Sequence, residues 1–131
     1  MNLARLALLV GGHGEPVKGC DLPTDEAEAL VRARYAQHSF CMVRDWTILD
    51  LVTTVEELEA LRTRGLEPVM VYALNVLLDS RGRFNSGDWV RSSFQLSYKE
   101  TGFFLTKNTV YVLLGNGMRQ KITIRDLASL R

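Results

Sequence analysis

The sequence predicts an α+β fold: one domain, 1–131, with a mostly antiparallel sheet of five or six strands covered by two or three helices. Three observations predict it. The stretch from Pro68 to about Ile124 alternates and clusters apolar residues as strands do. Thr54-Val-Glu-Glu57 is a capping box, which marks a helix start. No Pro/Gly/Ser-rich linker, repeat or low-complexity tract divides the chain, and 131 residues suffice for one buried core. The expected organisation is a helical part over 1–39, a strand–helix–antiparallel-sheet part over 40–124, and a short terminal helix over 125–131.

In order along the chain, Asn2–Val10 is a short apolar segment, helix or strand. Gly11-Gly-His-Gly14 breaks it, and a loop is expected to Pro23. Thr24 is an expected N-cap, with Asp25 and Glu26 in the first turn, where the helix dipole favours carboxylates. Ala27, Leu30, Val31 and Tyr35 then share a face, so helix is expected over about Asp25–Gln37. Phe40–Val52 reads as a strand with an irregularity near Arg44-Asp45, where the alternation shifts. The capping box opens a helix in which Leu58 and Leu61 continue the apolar face from Val55. Gly65 closes it.

Pro68 permits the start of a strand. Val69–Leu78 is apolar on both faces and reads as central. Arg81–Gly87 is a loop. Trp89–Tyr98 alternates, with Val90, Phe94, Leu96 and Tyr98 against Arg91, Ser93, Gln95 and Ser97. Phe103–Thr106 and Thr109–Leu114 are further strands, with a tight turn at Lys107-Asn108. Asn116-Gly117 is the strongest hairpin signal, with Arg119–Thr123 returning. Thr123 is placed to cap a helix that docks Leu127 and Leu130. Val71, Val76, Phe94, Leu96, Val110 and Val112 are the expected core.

Composition is ordinary for a soluble protein, 47% apolar and 24% charged. The charge is not evenly spread. Met1–Ser80 carries 7 Lys/Arg and 12 Asp/Glu, whereas Arg81–Arg131 carries 9 and 3, within an overall net of +1. The sheet half is basic and the rest acidic. Either the halves neutralise each other, or a basic face addresses an acidic partner. Cys20 and Cys41 make no disulfide framework, and both thiols are expected reduced. No secretory signal and no membrane-length apolar run is visible, so a cytoplasmic protein that does not bind membranes is expected.

No catalytic set emerges. Gly11–Gly14 completes neither a dinucleotide nor a phosphate loop motif. His13, Cys20, His38 and Cys41 are four soft ligands, but their spacing matches no zinc ribbon or finger, so no metal is expected. His38 and Cys41 would point to opposite faces of a strand and form no nucleophile pair. Glu56, Glu57 and Glu59 are the solvated face of a capped helix. Asp50 and Asp79 adjoin apolar strands with no evident partner. No cofactor is implied.

The binding candidates are Arg81, Arg83, Trp89, Arg91, Lys107, Arg119 and Lys121. Basic residues interleaved with aromatics such as Phe84 and Trp89 suit single-stranded nucleic acid. The favoured alternative is that Phe84 and Trp89 plug a sheet edge while the arginines keep it soluble. No recognised nucleic-acid-binding signature accompanies them. Arg91, Arg119 and Lys121 are expected on one positive sheet face.

Asp79-Ser-Arg-Gly-Arg-Phe84, Gly87-Asp-Trp-Val-Arg-Ser-Ser93 and Thr106-Lys-Asn-Thr-Val-Tyr-Val-Leu-Leu-Gly115 carry a resemblance. The chain resembles, over about Phe40–Gly117, a family of short uncharacterised proteins of pseudomonads and their prophages. The resemblance implies a bacterial accessory setting and no catalytic residues. The leading expectation is therefore a non-enzymatic protein that binds a protein partner, in phage–host defence or counter-defence. Nucleic-acid binding through the basic half is second, and a small enzyme using His13 or Asp79 is third.

Overall fold

The strand Ser39–Val52, β2, is the one that organises the sheet. It pairs along one edge with Val69–Asp79 (β3), antiparallel. Its other edge is shared. Thr109–Leu113 (β7) runs parallel to its first half and Asn116–Thr123 (β8) runs parallel to its second. A computed structural model describes residues 14–130. The remaining strands are Glu15–Lys18 (β1), Val90–Arg91 (β4), Ser97–Glu100 (β5) and Phe103–Leu105 (β6). The helices are Thr24–Arg34 (α1), Val55–Thr63 (α2) and Ile124–Ser129 (α3).

The class is α+β, as expected, but the sheet is mixed, because both β7 and β8 lie parallel to β2. β2 has the most strand neighbours and organises the sheet, and β3 is interior as expected, pairing with β2 on one edge and β4 on the other. Sequence alone also places Glu15–Lys18 in a loop. It instead adds a strand to β8, with Glu15 opposite Arg119. The expectations for Asn2–Val10 and His13 lie outside the described residues.

Asn116-Gly117 forms no hairpin. β7 and β8 run in the same direction, and the left-handed residue between them is Gly115, at φ 71°. Gly117 serves packing. A Cβ there would fall 2.4 Å from ring atoms of Trp46, and a Cβ on Gly19 would fall 2.6 Å from the same indole. Trp46 thus lies between two glycine backbones, and its Nε1 donates to the Leu114 carbonyl at 3.0 Å. The irregularity expected near Arg44-Asp45 is present. Asp45 has φ 53°, the one non-glycine with positive φ among the described residues. It lies where the neighbouring strand changes from β7 to β8.

The stretch Trp89–Tyr98 is not one strand. Only β4 pairs with β3, and the chain then follows the β3 edge irregularly, with Ser92 N–H donating to Val71 O and Gln95 N–H to Val69 O. Leu96 N–H next donates to Leu105 O, on β6. Hydrogen bonds therefore carry the sheet round from β2 through β3, residues 90–100, β6 and β7 back to β2. The serines explain the break in regularity. The Ser92 hydroxyl takes the Val71 N–H and gives its own proton to Ser93 O, replacing ladder contacts.

The concave face of this curl holds Val43, Trp46, Ile48, Val71, Phe104 and Leu113. On the convex face, α1 packs Ala27 and Val31 over Phe40, Met42 and Val112. Leu127 and Leu130 dock over Leu49, Tyr72 and Ile122 at the other end. Of the expected core, Val71, Val76, Val110 and Val112 are fully buried. Phe94 is only half-buried, and Leu96 is 44% exposed.

The helices follow their caps. Thr54 Oγ1 accepts from Glu57 N–H while Glu57 accepts from Thr54 N–H, completing the box at α2. Thr123 accepts from Asp126 N–H and opens α3. At α1 the N-cap is Pro23, so Thr24 is already helical and makes no cap bond. That helix ends at Arg34, short of the expected Gln37. Within α2 only Leu61 is buried, and Val55 is 68% exposed. This helix covers little of the sheet, since most of its residues are exposed.

Candidate functional site

Cys41 on β2 stands directly between Asp79 on β3 and Tyr111 on β7. Residues opposite each other in a ladder share a face, so the three form a row at one end of the concave core. The Asp79 side chain is fully buried. Arg83, four residues on, reaches back over it. Its Nε donates to Oδ2 at 3.0 Å, its Nη2 to Oδ1 at 2.8 Å, and its backbone N–H to Oδ2 at 2.7 Å. Nη1 donates to Thr109 Oγ1 at 3.2 Å, and the guanidinium lies 5.4 Å from the Phe84 ring centroid.

Burial alone would raise the Asp79 pKa, but the hydrogen bonds from Arg83 outweigh it and hold the carboxyl below its ordinary value. Burial pushes the Cys41 thiol up to about 12, helped by the Asp79 charge. Tyr111 is likewise pushed up to about 12, by burial first and then by Cys41. A thiol so placed stays protonated at neutral pH and is no nucleophile. The row's charge is confined to the buried Asp79 carboxylate and the partly exposed Arg83 that pairs with it.

A second carboxylate–arginine pair lies toward the other end of β2. Asp50 and Arg119 meet bidentately, Nε to Oδ2 and Nη2 to Oδ1, both at 2.7 Å. Cys41 and Asp50 are nine positions apart on β2, about 30 Å at the rise of a strand. Two of the seven binding candidates, Arg83 and Arg119, are thus committed to carboxylates.

The remaining candidates do not share one face. Arg91 lies opposite Tyr72, on the convex side. Arg119 lies opposite Ile48 and Lys121 opposite Asp50, on the concave side. The single positive face expected from the sequence does not form, because the register puts these residues on opposite sides. Arg81 and Lys107 are exposed beyond the Asp79 end. The Arg83 and Arg119 partners lie 4 and 69 residues away. The sequence alone offers no partner for Asp79 or Asp50, and the structure corrects both: Arg83 pairs with the first and Arg119 with the second.

Trp89 and Arg91 belong together. Trp89 is 46% exposed, with its ring 5.9 Å from that of Tyr72. An open cleft of about 500 Å³ is lined by Phe84, Asp88, Trp89, Val90 and Arg91. Asp88 Oδ2 accepts from Asn85 N–H at 2.8 Å, and Arg91 Nη1 makes a long 3.4 Å contact to Leu127 O. Asp88 was not among the sequence candidates. Its place between Gly87 and Trp89 was the available signal.

No group of three metal-ligating side chains exists among the described residues. Cys20 packs under α1 while Cys41 faces the concave core. No helix among those residues is long and apolar enough to cross a membrane.

These features define a small α+β domain built on a curled mixed sheet, with an aromatic cleft at its β4 margin. The chain belongs to the family described as Domain of unknown function (DUF6957), whose model matches residues 18–129. An uncharacterised family is what the resemblance implied, but the match also takes in most of the segment before Phe40. No curated protein and no solved structure shows a significant match to the chain.

Proposed function

We propose that this chain is a non-enzymatic binding protein that docks a protein partner on the cleft between Phe84 and Arg91. The observation that carries the reading is Trp89, a large aromatic 46% exposed beside an open cleft. Tryptophan and arginine supply much of the energy of protein–protein interfaces, and an exposed tryptophan beside an arginine suits such an anchor. At the Asp79 end, burial pushes the Cys41 and Tyr111 pKa values up and Asp79 is held by Arg83, which favours a binding role over catalysis there. A bacterial or prophage accessory role in phage–host conflict suits a partner-binding protein of this size.

The test compares wild type with Trp89→Ala as bait in lysate of the cells that encode it. The expected result is a partner retained by wild type and lost by Trp89→Ala, at equal melting temperature. The absence of any Trp89-dependent partner would overturn the reading. Binding of generic oligonucleotides at about 0.15 M salt, falling steeply as salt rises and lost in Arg81→Ala/Lys107→Ala, would put nucleic-acid binding in its place.

A further inference from the structure

We infer that the partner docks as an added β-strand: an extended peptide segment that pairs with the edge of β4 that no other described strand occupies and presents an acidic side chain to Arg91. The inference rests on the docking role of the cleft proposed above, and it names the kind of segment that fits.

The geometry begins with the phase of the ladder. Ser92 N–H donates to Val71 O, and these residues are opposite each other in the register that pairs Arg91 with Tyr72 and Val90 with Ala73. In an antiparallel ladder bonded and non-bonded pairs alternate. Ser92 is a bonded position, so Arg91 is a non-bonded one. Its N–H and C=O therefore point away from β3. β4 has β3 as its one partner strand among the described residues. The residues lining the cleft, from Asp88 to Arg91, are consecutive in that strand and its approach. The open space thus lies along the unpaired edge.

Natural sheets blunt exposed edges. At the β1 margin, Pro16 and the exposed Glu15 and Lys18 do so. Residues 88–97 contain no proline. Charge then selects the segment. The Asp88 carboxylate is held by Asn85 N–H, whereas Arg91 is exposed and spends one donor on a 3.4 Å contact. Among the described residues the rest of its fork has no hydrogen-bond partner, and its geometry suits a carboxylate. Phe84 and Trp89 flank the same opening and suit an apolar side chain. Main-chain bonds supply affinity in such docking, and alternate side chains supply specificity.

The test pans random linear peptides against the wild-type protein and measures the Kd of those enriched. The expected sequences alternate apolar and acidic residues. N-methylation of alternate peptide nitrogens should weaken binding about tenfold, equivalent to about 1.4 kcal/mol. Arg91→Pro should do the same to unmodified peptides. It removes an outward N–H, which an edge strand tolerates. Arg91→Ala should erase the acidic preference while retaining binding. The N-methyl comparison uses unaltered protein, so it holds even if Arg91→Pro fails to fold. Trp89-dependent binding that ignores N-methylation would overturn strand addition and leave the docking role standing. Dimerisation of the protein lost in Arg91→Pro would assign the edge to a second copy and also overturn the inference. Failure to enrich any peptide would overturn it, and loss of Trp89-dependent capture as well would remove the docking role.

Discussion

Trp46 packs against the backbone of Gly117, so close that a Cβ on Gly117 would sit 2.4 Å from Cδ2 and Cε3 of the indole. Gly117→Ala must displace a fully buried ring or the strand beneath it. The expected cost is about 1–3 kcal/mol, typical of overpacking. Gly82→Asn is the control. Gly82 has φ 65° with nothing near its Cβ position, and asparagine tolerates that conformation. It should stay within about 0.5 kcal/mol of wild type. Urea unfolding of the two variants checks the contrast.

Asp79→Asn should leave the Arg83 guanidinium without its counter-charge. The expected loss is about 2–3 kcal/mol, on the low side for a broken buried pair because part of Arg83 reaches solvent. The pH dependence has a definite sign. The folded pKa of Asp79 lies below its unfolded value. Its stabilisation is therefore complete above the unfolded pKa of about 3.9 and is lost as pH falls through the lower folded value. Wild type should lose stability over that acid range with a steeper slope than Asp79→Asn. Equal slopes would mean that the Asp79–Arg83 pair does not control acid unfolding.

Both cysteines are buried, and burial pushes the Cys41 thiol up to about 12. A disulfide reagent at mildly alkaline pH should therefore label Cys41 no faster than the domain opens. Unfolding in guanidinium should release both thiols at once. Rapid labelling of the Cys41 thiol in the native protein would show that the packing at the Asp79 end breathes.

Val112→Asp should abolish folding, because it buries an unpaired carboxylate on the fully buried face of β7. Leu96→Asp should be tolerated, since Leu96 is 44% exposed where the chain crosses from β3 to β6. Circular dichroism of the two proteins distinguishes them directly.

The local signals in the sequence were readable where the physics is local. The Thr54–Glu57 box, the Thr123 cap and the kink at Asp45 each depend on residues within a turn of one another. Asn116-Gly117 misled because a glycine can be required by what lies across from it. Here that is Trp46, more than seventy residues earlier, and nothing near Gly117 announces it. The alternation of 89–98 misled for a different reason. A serine hydroxyl at Ser92 can take a backbone bond that a strand would otherwise make, and spacing does not reveal this. The candidate site divided along the same line. Trp89 and Arg91 are neighbours in sequence and remain neighbours in space. The sidedness of Lys121 depends on a parallel register with β2 that no local pattern specifies.

The parallel placement of β7 and β8 has a consequence for how the chain is made. Ser39, at the start of β2, faces Thr109, 70 residues further on. During synthesis from the N-terminus, β2 and β3 can pair as soon as both emerge, but the second edge of β2 stays bare until the last strands appear. Contacts of such sequence separation also slow folding of the completed chain. A ribosome stalled or terminated before residue 109 would thus release a product with an open apolar strand edge, prone to aggregation and to capture by chaperones.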